Sequence, residues 1–251
     1  MDNTMYVGLS RQMLLQRDLD IVANNIANAD TNGFKVESLI SADDPISPPG
    51  SPAGARPLQF VLDQGVARDF SQGAMITTGA SLDVALQGQG FLQVQTANGV
   101  RYTRDGRFTT DAQGRLVTQA GDAVLDASGS PITLNAANGA VTIGRDGTIT
   151  QKAPGQVQGS VVGKIGVVTV ASLSALHKEG GGLYSDPTGQ PTQPAVGVTV
   201  QQGMLEASNV QSITQITDLI RLQRAYESVN QMISNTADLS KSAIQRLGSV
   251  Q

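Results

Sequence analysis

The chain has no cysteine and no tryptophan, and His177 is its single histidine. Without cysteine there is no disulfide, no iron–sulfur cluster, no thiolate zinc site and no thiol nucleophile. One histidine excludes a two-histidine metal site within the chain. Charged residues make up 15% and aromatic residues 4% of the 251, against about 25% charged in an average domain. The formal net charge is -4, and no basic patch offers a footing for nucleic acid. The longest apolar run, Ile165 to Ala171, is broken by Gly166 and Thr169. It falls far short of the roughly 20 residues that a membrane helix needs, so no membrane insertion is expected. The opening Met1-Asp2-Asn3-Thr4-Met5 lacks the basic-then-apolar order of a cleaved secretory signal.

What the chain does have is two helical ends. Residues 4–30 carry apolar side chains at helical spacing, most clearly Leu15, Leu19, Val22, Ile26 and Ala29. This 4, 3, 4, 3 stepping makes one narrow seam. Asn32-Gly33 supplies a stop, because glycine takes the left-handed conformation past a helix end. Asn25, Asn28 and Asn32 form an amide row beside the seam, read either as a solvated face or as hydrogen-bonding groups for neighbouring chains. At the other end, Ser208–Gln211 and Ser212–Gln215 both match the capping-box pattern. Beyond them a second seam runs through Leu219, Leu222, Tyr226, Val229, Ile233, Thr236, Ser240, Ala243 and Leu247. Each seam fits a helix packed on its own domain or a coiled coil joining the two ends. A seam this thin supports a long helix weakly, so the ends are expected to order fully only when neighbours bury more surface.

The middle predicts β structure. Short β-favouring runs alternate with turn pairs: Phe91–Gln95 before Asn98-Gly99, Val100–Arg104 before Asp105-Gly106, and Val141–Ile143 before Asp146-Gly147. Ser160–Val170 is the most apolar strand candidate. Prolines 45, 48, 49, 52 and 57 predict an extended linker over 36–71, and Pro187, Pro191 and Pro194 predict a return linker over 184–207. The expected fold is therefore α+β. Residues 1–35 and 208–251 form a coiled-coil-like helical domain, and 72–183 form a central, mostly antiparallel β domain.

Chemical motifs are weak. Gly159-Ser160-Val161-Val162-Gly163-Lys164-Ile165 is one residue short of a phosphate loop and carries Ile165 where Ser or Thr is required. Gly88-Gln89-Gly90 lacks the third glycine of a dinucleotide fingerprint. Asp105, Asp111, Asp126 and Asp146 sit in turn sequences without calcium-loop spacing. No catalytic, cofactor or metal residue is assigned, and no small-molecule substrate is expected.

Three stretches carry a family resemblance. Leu19-Asp20-Ile21-Val22-Ala23-Asn24-Asn25-Ile26-Ala27-Asn28-Ala29-Asp30-Thr31-Asn32-Gly33-Phe34-Lys35 resembles the N-terminal signature of bacterial flagellar rod and hook proteins. Gly203-Met204-Leu205-Glu206-Ala207-Ser208-Asn209-Val210, with Arg224-Ala225-Tyr226-Glu227, resembles their C-terminal signature. Between them, Thr78–Phe91, Tyr102-Thr103-Arg104-Asp105-Gly106-Arg107-Phe108 and Gly114–Thr118 are similar to the core motif of the larger members. The opening Met1-Asp2-Asn3 with Tyr6-Val7-Gly8-Leu9-Ser10 is closer to the proximal-rod type, with the distal-rod type as the alternative. The resemblance implies a structural subunit, not an enzyme, in the basal-body rod that crosses the periplasm. It implies export through the flagellar type III apparatus without signal cleavage, and terminal helices packed around the export channel. Its implied partners are further copies and neighbouring rod subunits. The implied assembly residues are Leu15, Leu19, Val22, Asn25, Ile26, Asn28, Leu219, Leu222, Tyr226, Val229, Ile233 and Leu247. From a different class, a secreted β-domain binding module or enzyme with helical ends remains the other reading.

Overall fold

The computed structural model describes residues 2–46, 58–135, 138–156 and 158–248, with side chains described outside 2–4, 43–46, 58–60, 243–244 and 246–248. The chain divides into two compact units. One comprises residues 1–27, 37–69 and 211–251; the other comprises 28–36 and 70–210.

The first unit holds two helices and a strand pair. Helix α1 spans Asp2–Ala27 and α2 spans Ser212–Gly248. Strands β1 (Glu37–Ile46) and β2 (Leu58–Arg68) pair antiparallel, with a register shift after Ile40. The linker expected over 36–71 is therefore a β ribbon over these residues; the intervening 47–57, with four of its five prolines, lies outside the described residues. Pro45 sits in β1 opposite Gln59. A two-stranded ribbon tolerates it, because each strand has an unpaired side where a missing N–H costs no ladder bond. α1 packs against α2 and both ribbon strands.

α1 ends three residues sooner than the apolar spacing predicts. Thr31 N–H then bonds to the Asn28 carbonyl at 3.1 Å, and Gly33 takes φ +68°. Gly33 does more than end a helix. Its N–H donates to the Glu206 carbonyl at 2.7 Å, and a Cβ there would lie 2.6 Å from the Arg104 carbonyl carbon. α2 begins at Ser212, so 208–210 belong to the other unit. The first capping-box reading fails because Ser208 Oγ accepts the N–H of Val210 at 3.1 Å, ahead of the helix, while the neighbouring Asn209 Oδ1 accepts the Val36 N–H at 2.8 Å and its amide donates to Ser71 Oγ at 3.1 Å.

The second unit is strand and turn, with two single 3-10 turns at Leu173–Ala175 and Gly180–Gly182. Strands β3 (Met75–Thr77), β4 (Val84–Gln87), β5 (Phe91–Thr96) and β6 (Gly99–Thr103) open it. β5 and β6 anchor a nine-stranded sheet, and 141–143, 148–151 and 160–164 form a three-stranded one. Every named strand pair is antiparallel. Asn98-Gly99 does not make the expected tight turn alone. Thr96 faces Gly99, only Gly99 has positive φ, and Ala97-Asn98 bridge the strands. The single strand expected over 160–170 is two, in different sheets. They part at Gly166, where a Cβ would lie 2.5 Å from the Asp126 carbonyl oxygen. The return linker expected over 184–207 is also corrected. Residues 199–202 pair with β4, 204–206 pair with β3, and Pro194 faces Val168.

The main core gathers Leu86, Leu92, Val94, Leu116, Val124, Ile149 and Ile165 with their neighbours. A second cluster sets Phe70, Phe91 and Tyr184 edge to face, centroids 5.5–5.9 Å apart. Edge-to-face contact places a positive ring edge on a negative face, and each of the three contacts adds about 0.5–1.5 kcal/mol to what the buried area contributes.

Candidate assembly interface

The helix pair is built from the two seams. Leu15, Val22 and Leu222 are buried together, with Leu19, Ile26, Leu219, Ala225, Tyr226 and Val229 partly buried around them. Ile233 is half-buried, and a Cβ on Gly8 would meet its Cγ1 at 3.0 Å. The helices run antiparallel. As the number on α1 falls from 25 to 12 to 8, the facing number on α2 rises from 215 to 226–230 to 233.

Amides fix that register. Gln12 Nε2 donates to Tyr226 Oη at 3.1 Å and to Asn230 Oδ1 at 2.8 Å. Asn25 is 1% exposed, so it is neither a solvated residue nor one held open for a neighbour. Its Nδ2 donates to Gln215 Oε1 at 3.0 Å and to the Glu37 carbonyl at 2.8 Å, and its Oδ1 accepts the Glu37 N–H at 3.0 Å. One side chain thus ties α1, α2 and the start of β1. Asn28 is only half-buried, belongs to the β unit, and accepts from Thr31 Oγ1. The side chain of Leu247 lies outside the described residues.

The β unit contains a charged centre among residues quoted in the motifs but given no site role. Lys35, Arg104 and Glu206 are 0%, 3% and 1% exposed. Lys35 Nζ contacts Glu206 Oε1 at 2.5 Å and donates to the Ser71 carbonyl at 2.6 Å. Arg104 bonds Glu206 Oε2 at 3.0 Å and the Gly88 carbonyl at 2.7 Å. Gly73 N–H gives Glu206 Oε1 another donor. Burial pulls the Arg104 guanidinium below its usual basicity, and the adjacent Glu206 carboxylate opposes that pull. The Arg104 Nε has no hydrogen-bond partner among the described residues. The legible signal was charge: each of the three motifs supplies one of these ions, two positive and one negative, in a chain with few charges. Three segments far apart in sequence are held at one point.

No group of metal-ligating side chains occurs among the described residues, and no described helix is long and apolar enough to cross a membrane.

Three family models match in chain order. "Flagella basal body rod protein" covers 5–35, "Flagellar hook protein FlgE/F/G D1 domain" covers 85–151, and "Flagellar basal body rod FlgEFG protein C-terminal" covers 201–246. A flagellar basal-body rod protein FlgF of Caulobacter vibrioides is 53% identical over all of both chains. The chain belongs to the flagellar basal-body rod proteins. Within that structural, non-enzymatic family, a FlgF of Mesorhizobium japonicum is 34% identical over 99% of both chains. A FlgG of Bacillus subtilis is 33% identical over 94% of this chain and 96% of its own. The FlgF-type resemblance thus extends to both ends. The buried ions fall inside or beside the matched segments: Lys35 closes the first, Arg104 lies in the second and Glu206 in the third.

Proposed function

We propose that the chain is a structural subunit of the proximal flagellar rod, assembling with copies of itself and with neighbouring rod subunits. The observation that carries this reading is the end-to-end match to FlgF relatives, one of them 53% identical. It is supported by the joining of both terminal seams in one apolar cluster. Leu15, Leu19, Val22, Ile26, Leu219, Leu222, Tyr226 and Val229, with Asn25 beside them, build a coiled-coil-like helix pair, and neighbours meet its remaining faces. Packed side by side, such pairs make an inner tube around the export channel. The tube transmits torque where the rod crosses the periplasm. Subunits reach it unfolded through the flagellar type III apparatus, keeping their first residues.

Electron microscopy of basal bodies from a strain lacking the protein tests the proposal. The expected result is truncation before the distal rod and hook. Intact rods and hooks would overturn it, and a stub ending further out would move the subunit to the distal rod.

A further inference from the structure

Each helix carries a second apolar face that stays exposed among the described residues. On α1 it is Tyr6, Leu9 and Met13; on α2 it is Ile213, Ile216 and Ile220. All six are between 46% and 83% exposed. Single exposed apolar residues are ordinary. Three at i, i+3 and i+7 on one helix form a stripe, and here two stripes share the same spacing. By helical geometry each stripe lies well over 90° around its helix from the seam.

The spacing match extends further. Arg17 and Asp20 follow the α1 stripe at the intervals at which Arg224 and Glu227 follow the α2 stripe. A parallel docking of one stripe on the other would oppose arginine to arginine and acid to acid. Antiparallel docking sends those charges to opposite ends and sets Tyr6, Leu9 and Met13 level with Ile220, Ile216 and Ile213. Antiparallel is also what equally oriented copies provide, because α1 and α2 already run opposite ways within one chain.

The stripes occupy opposite ends of the pair. Ile216 stands next to Gln215, which faces Asn25, so about 15 residues of α1, roughly 22 Å at 1.5 Å per residue, separate its level from Leu9. A chain cannot dock its own stripes, and two copies docking one to the other leave a free stripe at each end. Such a head-to-tail contact does not close.

We infer that the Tyr6–Leu9–Met13 stripe of one copy docks on the Ile213–Ile216–Ile220 stripe of a second copy, antiparallel, with the copies displaced by about 22 Å along the helices. The inference rests on the rod reading and names the faces by which like subunits meet.

The absence of native cysteine makes the test clean. Purified full-length Leu9→Cys and Ile216→Cys are oxidised separately and as a mixture, and linked dimers are read on non-reducing gels. Leu9→Cys mixed with Val161→Cys, an exposed site in the β unit, measures random collision. The mixed stripe variants are expected to give a linked dimer, and each alone only the collision level. Adding Ile213→Asp and Ile220→Asp to the Ile216→Cys chain should abolish the dimer, with far-ultraviolet circular dichroism unchanged because both positions face solvent. A mixture no better than the control overturns the contact, as does equal dimer from Leu9→Cys alone, which would mean like stripes meet. Those outcomes leave the rod reading to the basal-body micrographs, where intact rods would defeat the function without explaining a stripe-specific dimer.

Discussion

Lys35, Arg104 and Glu206 show how few charges hold the β unit together. Two cations share one carboxylate out of water, so Glu206 is the member whose loss leaves most uncompensated charge. Breaking a buried ion pair by removing one partner costs about 3–5 kcal/mol. Glu206→Gln should therefore lower stability by about that amount, read from urea unfolding of the full chain. Lys35→Met removes the surplus cation and leaves a balanced Arg104–Glu206 pair, so its midpoint should fall less. Equal losses from the two would show that packing, not charge balance, sets the cost. Sequence reading quoted all three residues within motifs without giving them a common task. Nothing local reveals that Lys35 and Glu206 meet, because 171 positions separate them; only a charge embedded in a motif with sparse charge hinted at burial.

Periodicity was informative at the level of elements where a face is half-buried. Both helices and their seams were legible, since Leu15, Leu19, Val22 and Ile26 on α1, and Leu219, Leu222, Tyr226 and Val229 on α2, recur at a period that only a helix turns to one side. Leu222→Ala should destabilise the helical unit by about 2–5 kcal/mol, the usual range for truncating a buried leucine. Limited proteolysis checks it: cleavage within α1 and α2 should accelerate while the β unit stays resistant. The ribbon Glu37–Ile46/Leu58–Arg68 was not legible, because Pro45, in a strand of a two-stranded ribbon, reads like a linker proline. The strands at 199–202 and 204–206 escaped for a related reason. They pair with β4 and β3 from more than a hundred positions earlier, a non-local pairing that no short window contains. Asn25 was singled out for its row, yet its burial follows from the ribbon that the row could not announce.

For the whole molecule, charge and composition correctly turned attention from catalysis to assembly, and the end motifs located the family. Neither indicated that the β unit would take in residues 28–36 from ahead of the ribbon together with 70–210. The helical unit is likewise assembled from the beginning, an early ribbon and the end. A chain truncated after residue 205 should therefore lose more than α2. Its β unit lacks the strand residue Glu206, leaving Lys35 and Arg104 without their carboxylate. Circular dichroism and proteolysis of that fragment are expected to show loss of cooperative unfolding in the β unit as well. A fragment that unfolds like the intact β unit would show the Lys35–Glu206–Arg104 latch to be dispensable.

The same 171-residue separation between Lys35 and Glu206 sets a clock. A chain delivered as a thread, from either end, cannot finish either unit while it is partly delivered: the latch waits for both of its distant ends, and so does the helix pair. Long loop closures also make such folds slow to form. Completion is deferred until nearly the whole thread has arrived, so passage through a narrow conduit and the final shape do not compete for the same moment.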